Sequence, residues 1–341
     1  MHRRTIGRAV VMITHGPFCH PCSRNFSSTL SGRASWGFIG LGQMGYNMAK
    51  NLRRKISPSD TLIVCDVDAN ITAKFVQEVS ATDKFDIQVA KTARELAEKT
   101  ETIISSLPGP ESVKLVFDSI LGEQVPLPSG RERLFIDCST IDLTTSQDVA
   151  RAVISSGSGQ FVDAPMSGGV VGAQTASLTF MFGASGSPQL VDRVKSVLLL
   201  MGKKAWHLGL QGAGISGKLT NNYLLAISNI ATAEAMNMGI KSGLDPKGLT
   251  EMINSSTGRC WSSAVNNPVP GVIETAPACR NYEGGFGIHL MKKDLKLATE
   301  MAQEFQAPLI LAEKALEIYK QAEKIHPGKD FSVVYQYIAN Q

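Results

Sequence analysis

Three short groupings of residues carry the chemistry available to this chain. The first is Gly40-Leu41-Gly42-Gln43-Met44-Gly45, a G-x-G-x-x-G run that follows an apolar strand pattern and opens a helical one. In that setting the first glycine permits a tight turn, the second lets a pyrophosphate approach the backbone, and the third lets helix and strand pack closely. Asp66 follows Gly45 by 21 residues, at the end of the next strand pattern. A carboxylate there accepts from both ribose hydroxyls of NAD and repels the 2′-phosphate of NADP. The second grouping is Lys218 with Asn222, four apart and so on one helical face, where an amine and an amide can hold one hydroxyl between them. Hydride loss from an alcohol carbon requires the hydroxyl proton to leave to a base. A lysine desolvated beside a cationic nicotinamide has its pKa pushed down toward neutrality, which suits that task. Taken alone, a single helix lysine is better read as a snorkelling residue. The third grouping is Ser167-Gly168-Gly169, whose hydroxyl and backbone N–H groups form a compact cradle for a carboxylate, and which also suits an ordinary glycine turn.

These groups need elements to position them. From Trp36 the chain alternates short apolar runs with helical periodicity, as strands joined by crossover helices do. The expected strands are Trp36 to Gly40, Leu62 to Cys65, Ile87 to Ala90, Thr102 to Ser106, Leu134 to Asp137 and Gln160 to Asp163. Nearly continuous apolar runs of this kind suit a parallel sheet covered on both faces. Leu107 and Pro108 end the fourth strand, and Ser112 and Thr140 follow strands four and five; loops at such carboxyl ends line the dinucleotide crevice of this fold. Gly122 to Glu132 reads as an exposed loop. After Trp206 the strands stop, and a helical stretch from about Ser216 to Ser242 is long enough to join two domains. The rest is helical in period, including Met291 to Phe305, Pro308 to Ala322 and Ser332 to Ile338, with Ser332 as the expected N-cap of the last. The fold class is therefore α/β: a Rossmann-type doubly wound, mostly parallel sheet followed by an all-α C-terminal domain joined by a long helix. The expected division is a leader over residues 1–35, a dinucleotide-binding domain over 36–210 and an all-α domain over 211–341.

Composition narrows the partners. The 341 residues are 43% hydrophobic and 19% charged, which is ordinary for a globular chain. The net charge of +4 rests on the first 35 residues, which hold five arginines and no acid; removing them from the 34 basic residues leaves 29 against 30 acidic ones. No basic surface for nucleic acid is implied. The leader is Arg-rich, Ser-rich and free of acids, as a mitochondrial presequence is, and Arg24-Asn25-Phe26-Ser27 is similar to a matrix-protease cleavage site. Cys19-His20-Pro21-Cys22 has redox-motif spacing but lacks the strand and helix that would give it meaning. The other cysteines are scattered, no histidine is placed by a motif, and no metal site is expected. No run of about 18 apolar residues occurs, so no membrane span is expected.

Together the motifs resemble the β-hydroxyacid dehydrogenases, whose opening signature is matched by Phe38 through Lys50 (FIGLGQMGYNMAK). Asp163-Ala164-Pro165-Met166-Ser167-Gly168-Gly169 resembles that family's substrate loop, and Gly212-Ala213-Gly214 followed by Lys218, Asn221 and Asn222 resembles its catalytic segment. The resemblance implies that Lys218 is the general acid–base and Asn222 its catalytic partner. It places Ser167, Gly168, Gly169 and Asp294 on the substrate side, with Asp294 also supporting the lysine. It gives Gly40, Leu41, Gly42, Gln43, Met44, Gly45, Asp66, Leu107, Pro108, Ser112, Thr140 and Lys293 to an NAD cofactor. From spacing alone Lys293 and Asp294 are a solvated helix charge pair. Arg259 and Trp261 are candidate pocket walls, or packing residues.

The blocks Ser256 to Trp261, Asn267 to Gly271 and Tyr282 to Phe286 are most similar to the family's mitochondrial branch. That branch implies NAD-dependent oxidation of 3-hydroxyisobutyrate to methylmalonate semialdehyde in valine catabolism, in the mitochondrial matrix. A homo-oligomer, dimer or tetramer, is expected from exposed apolar helix faces. Asn47, Met166 and Val171 depart from the usual family residues without removing a chemical group. Two rivals remain. An NADPH-dependent short-chain semialdehyde reductase of the same fold should carry basic residues where Asp66 stands, and a non-catalytic dinucleotide-binding protein should lack Lys218. A fusion of Met1 to Ser35 to a fluorescent reporter is expected to enter mitochondria, and a reporter that stays cytosolic would remove the targeting assignment.

Overall fold

The computed structural model describes residues 33–82, 86–122, 127–128 and 132–341. The leader readings, including Cys19 to Cys22 and Arg24 to Ser27, and most of the Gly122 to Glu132 loop lie outside the described residues. From Arg33 onward the chain is one compact unit.

Its first half runs β1 (Ser35–Ile39), α1 (Gln43–Lys55), β2 (Thr61–Cys65), α2 (Ala69–Thr82), β3 (Asp86–Val89), α3 (Ala93–Lys99), β4 (Thr102–Ser105), α4 (Pro110–Leu121), β5 (Leu134–Asp137), α5 (Leu143–Ser155) and β6 (Gln160–Asp163). All of β2, β4 and β5 is buried, as expected of central parallel strands. The helices start where their sequences provide caps. Thr92 accepts from the Glu95 amide before α3, and Asp142 from the Thr145 amide before α5. The chain continues through β7 (Met166–Ser167), α6 (Gly169–Gln174), β8 (Leu178–Gly183), α7 (Pro188–Leu198) and β9 (Gly202–Gly209). The sheet order is β3-β2-β1-β4-β5-β6-β8-β7, with β9 beside β8. β1 to β6 pair in parallel, whereas β8 is antiparallel to β6 and β7 and parallel to β9. The strand order reverses at β1, between β2 and β4, where doubly wound folds open their ligand crevice.

The helical half comprises α8 (Ala213–Lys241), α9 (Pro246–Ser255), α10 (Trp261–Ala264), α11 (Ile288–Glu304), α12 (Ala312–Ile325) and α13 (Val334–Ala339). Ile215 and Leu219 of α8 pack into one face of the sheet with Ile141, Leu143 and Phe135. Two turns later Ala226, Ile230 and Ala233 of the same helix form the helical core with Tyr282, Tyr319 and Phe331. One helix thus belongs to both cores. Among the described residues no helix is long and apolar enough to cross a membrane, and no His, Cys, Asp and Glu cluster could hold a metal ion.

Three expectations differ from what is observed. β7, β8 and β9 are absent from the expected strands, and β9 carries the sheet past Trp206 to Gly209. It is an edge strand, so Lys203, Lys204, Trp206 and His207 stay exposed and disguise it. α8 begins at Ala213 rather than Ser216, because Gly212 at φ +93° turns the chain and Asp163 caps the amides of Gly212 and Ile215. The last helix starts after a 3-10 turn, Phe331–Val333, whose N-cap is Asp330 accepting from the Ser332 amide; Ser332 is not the cap.

Gly40 sits at φ +91°, and a Cβ on it would lie 2.3 Å from the Ser106 carbonyl oxygen. A Cβ on Gly45 would lie 2.0 Å from the Gly40 oxygen, whereas one on Gly42 meets nothing within 4 Å. Gly45→Ala is expected to cost about 1–3 kcal/mol in urea denaturation as the turn is forced apart. Gly42→Ala should stay within about 0.5 kcal/mol of the parent, and a comparable loss there would contradict this account of the turn.

Candidate active site

The glycine turn joins β1 to α1 with the first-turn amides of α1 lacking any side-chain cap. Such unpartnered N–H groups and the positive end of the helix dipole form an anion site. Since Gly42 is not required by any protein neighbour, the open space beside it is available to a pyrophosphate. Gln43 and Met44 sit in the first turn of α1 beside that space. Asp66 Oδ2 accepts from the Leu41 amide at 2.5 Å and its Oδ1 from the Asp68 amide at 2.9 Å, so the carboxylate is fixed at the end of β2 and remains partly exposed. These residues fit a dinucleotide.

Across the crevice, Asp137 at the end of β5 accepts from Ser105 Oγ and Ser139 Oγ at 2.7 and 2.6 Å, and Ser139 Oγ in turn accepts from the Leu107 amide at 2.9 Å. Burial pushes the Asp137 carboxyl up. This network braces the carboxyl ends of β4 and β5, and so the loops holding Leu107, Pro108 and Thr140. Ser112 lies half-buried in the first turn of α4.

The helical half reaches those loops through Lys293 of α11, whose Nζ donates to the Thr140 carbonyl at 2.8 Å and lies 3.4 Å from the Pro108 carbonyl. Asp294 beside it is buried, and its Oδ2 accepts from Asn222 Nδ2 at 2.6 Å. Asn222 Oδ1 accepts from Lys218 Nζ at 3.1 Å and from Asn221 Nδ2 at 3.0 Å. The result is a buried chain from Lys218 through Asn222 to Asp294, in which the amide orientation is set at both ends. Among the described residues Asp294 Oδ1 has no hydrogen-bond donor, and Lys293 Nζ lies 3.6 Å from it. Lys218 is 6% exposed, with Phe286 6.0 Å from its Nζ, at the outer limit of a cation–π contact. Burial pushes the Lys218 pKa down; Asp294 opposes that shift and Lys293 adds to it.

Phe286 packs edge-on against Phe331 at 6.1 Å, and Trp261 stacks on Phe331 at 6.5 Å, which extends an aromatic wall from Lys218 to a half-exposed indole. Arg259 is exposed and lies before that wall in the chain. Ser167 ends β7, and Gly168 and Gly169, at φ +131° and +60°, turn the chain into α6. Among the described residues no hydrogen bond or ion pair joins this turn to the Lys218 chain. The geometry therefore brings together Lys218, Asn222, Asp294, Lys293 and the loops at Pro108 and Thr140, and separately Gly40 to Gly45 with Asp66. The sequence reading gave no role to Asp137 or Ser139, and placed Asp163 only at the head of the substrate-loop motif; an acid ending a buried strand was the available signal.

The family model for the NAD binding domain of 6-phosphogluconate dehydrogenase matches residues 35–209. The model described as the NAD-binding domain of NADP-dependent 3-hydroxyisobutyrate dehydrogenase matches residues 212–338. The chain is 42% identical to mitochondrial 3-hydroxyisobutyrate dehydrogenase of Mus musculus over 96% of its own length and 92% of that protein. It is 41% identical to the mitochondrial enzyme of that name from Drosophila melanogaster, over 90% of each. Among solved structures, the 3-hydroxyisobutyrate dehydrogenase of Mycobacterium tuberculosis with L-serine superposes with a TM-score of 0.79 at 34% identity, covering 90% of this chain and 99% of that one. A glycine turn fit for a dinucleotide, a buried Lys218 chain beside the Lys293 that meets the crevice loops, and matches along both halves have one explanation: the chain belongs to the 3-hydroxyisobutyrate dehydrogenase family of NAD-binding oxidoreductases.

Proposed function

We propose that the protein oxidises 3-hydroxyisobutyrate to methylmalonate semialdehyde with NAD, in the mitochondrial matrix and as a step of valine breakdown. The observation that carries this reading is the buried Lys218-Asn222-Asp294 chain, joined through Lys293 to the loops at Pro108 and Thr140. When bound, NAD supplies at its nicotinamide the acceptor for the hydride that leaves the substrate's hydroxyl-bearing carbon. Neutral Lys218 accepts the hydroxyl proton in that direction, and its ammonium returns the proton in reduction. Asn222 orients the lysine and has a second amide hydrogen to offer the substrate oxygen. Asp294 keeps the amide from flipping and stabilises the ammonium once it forms. Ser167, Gly168 and Gly169 receive the carboxylate, while Phe286 and Trp261 exclude water from the side where the lysine is charged.

Asp66 favours NAD over NADP, which weighs against the NADPH-dependent reductase, and burial of an amine with a dedicated carboxylate weighs against a protein without chemistry. In this reading residues 36–210 bind the dinucleotide, and 211–341 form the substrate and oligomerisation domain. The exposed apolar side chains Leu208, Leu210 and Leu224 favour a homo-oligomer. The relatives' mitochondrial names accord with the Arg-rich leader.

Wild-type protein is expected to turn over NAD far better than NADP, and Asp66→Ala to narrow that preference; equal efficiency of the parent with both would sink it. Lys218→Ala and Lys218→Arg should each lower turnover by on the order of a hundredfold or more, with NAD binding by fluorescence titration nearly intact. Arginine keeps the charge but cannot give up a proton, so near-parental activity of Lys218→Arg would exclude proton transfer at this position. Oxidation needs the neutral amine, so its rate rises with pH through the depressed Lys218 pKa while the rate of reduction falls. Asp294→Asn removes the charge that favours the ammonium. In the same series it should move the oxidation limb to lower pH.

A further inference from the structure

Asp163 ends β6 and is fully buried. Its Oδ1 accepts from the Gly212 amide at 2.7 Å and its Oδ2 from the Ile215 amide at 2.8 Å, at the start of the 29-residue α8. The surrounding backbone is closely packed. A Cβ on Gly183 of β8 would lie 2.3 Å from the Leu210 carbonyl oxygen and 2.8 Å from Oδ1, and one on Gly214 of α8 would lie 2.6 Å from the Met181 carbonyl oxygen and 2.8 Å from Oδ2. β8 and the start of α8 therefore meet at the Asp163 side chain.

Each side of that junction leads directly to a part of the proposed site. Lys218 follows the bonded Ile215 by three residues, less than one helical turn or roughly 4.5 Å along the axis. In the other direction Ser167 follows Asp163 by four residues, and the intervening segment is pinned by Ala164 N donating to the Asp137 carbonyl at 2.7 Å and Met181 N to the Pro165 carbonyl at 3.0 Å. We propose that Asp163 is a positioning residue that fixes Lys218 relative to the Ser167-Gly168-Gly169 turn by clamping the first turn of α8 to the end of β6. The proposal rests on Lys218 being the proton-transfer residue.

A carboxylate is required at this place because two separate N–H groups each need an acceptor. Asparagine offers one oxygen and turns an NH2 group toward the other donor. Among the described residues no cation pairs with the buried charge. β6 and β8 carry no other titratable side chain, and the first two turns of α8 carry only Lys218. β5 contributes Asp137, the register partner of Asp163, whose carboxylate bonds Ser105 and Ser139. The amides and the helix dipole alone favour the charge, and burial pushes the carboxyl up to about 7. The clamp is complete only in the ionised form.

The test is Asp163→Asn in the full-length chain, with Lys218→Arg run in parallel. A positioning role predicts a kcat for 3-hydroxyisobutyrate oxidation reduced by about 10- to 100-fold and an NAD Kd close to the parent's. The pH limb of oxidation should also move up toward an ordinary lysine as Lys218 leaves its dry seat. Parental kcat and pH limb in folded Asp163→Asn, with or without a lower melting temperature, would overturn the proposal. Should that variant fail to fold, amide exchange of the parent decides. Protection at Gly212 and Ile215, corrected for intrinsic exchange, is expected to fall below a pH of about 7, and constant protection from pH 8 to about 5.5 would overturn the clamp. This readout does not use turnover. Active Lys218→Arg would therefore defeat the proton-transfer reading and leave the clamp to be judged by exchange.

Discussion

Burial of the Lys218 amine is the constraint to which much of the molecule answers. An ammonium removed from water is costly unless a carboxylate and hydrogen bonds offset it, and the same desolvation brings its pKa down to where it can exchange protons. Full ionic pairing would restore an ordinary lysine, and no pairing at all would leave it permanently neutral. The structure lies between these limits: Asn222 separates the amine from the Asp294 carboxylate, so the stabilising charge is present at one remove. Keeping that spacing requires α8 and α11 to hold their relative rotation. The shared core residues Tyr223, Leu295 and Met291 accomplish this without adding charge.

The same construction serves two helices with opposite exposure. At α1 a carboxylate from the end of β2 bonds the glycine turn and stays partly open, so that its outer edge remains available to a ligand. At α8 a carboxylate from the end of β6 bonds the glycine turn and is closed off. In both, the strand supplies rigidity and glycine lets the backbone come close. The difference is what approaches from outside, and it explains why one helix start is left uncapped while the other is doubly capped.

Features with local spacing were legible in the sequence. The glycine run, Asp66 and the Lys218-Asn222 pair each lie within one supersecondary unit, where the period of the chain fixes their directions. Contacts between distant segments were not. Lys293 meets the Pro108 and Thr140 carbonyls across 185 and 153 residues, and by spacing it looked like half of a solvated charge pair. β9 escaped notice because an edge strand does not need an apolar exterior. Ser332 resembled a cap, but Asp330 two residues earlier holds the turn and also accepts from the Phe286 amide at 2.7 Å, a partner that no local pattern announces.

The membership of α8 in two cores has a thermodynamic consequence. Ile215 and Leu219 are packed with the sheet, Ala226, Ile230 and Ala233 with the helices, and Leu297 and Ala298 of α11 return to the sheet side. Melting either half strips one end of α8 and exposes apolar surface on the other half. The two parts are coupled by a shared element rather than by an interface that can separate cleanly. Stability is then a property of the whole described chain, and a lesion at the dinucleotide end should be felt in the hydrogen exchange of the helices about two turns beyond Lys218.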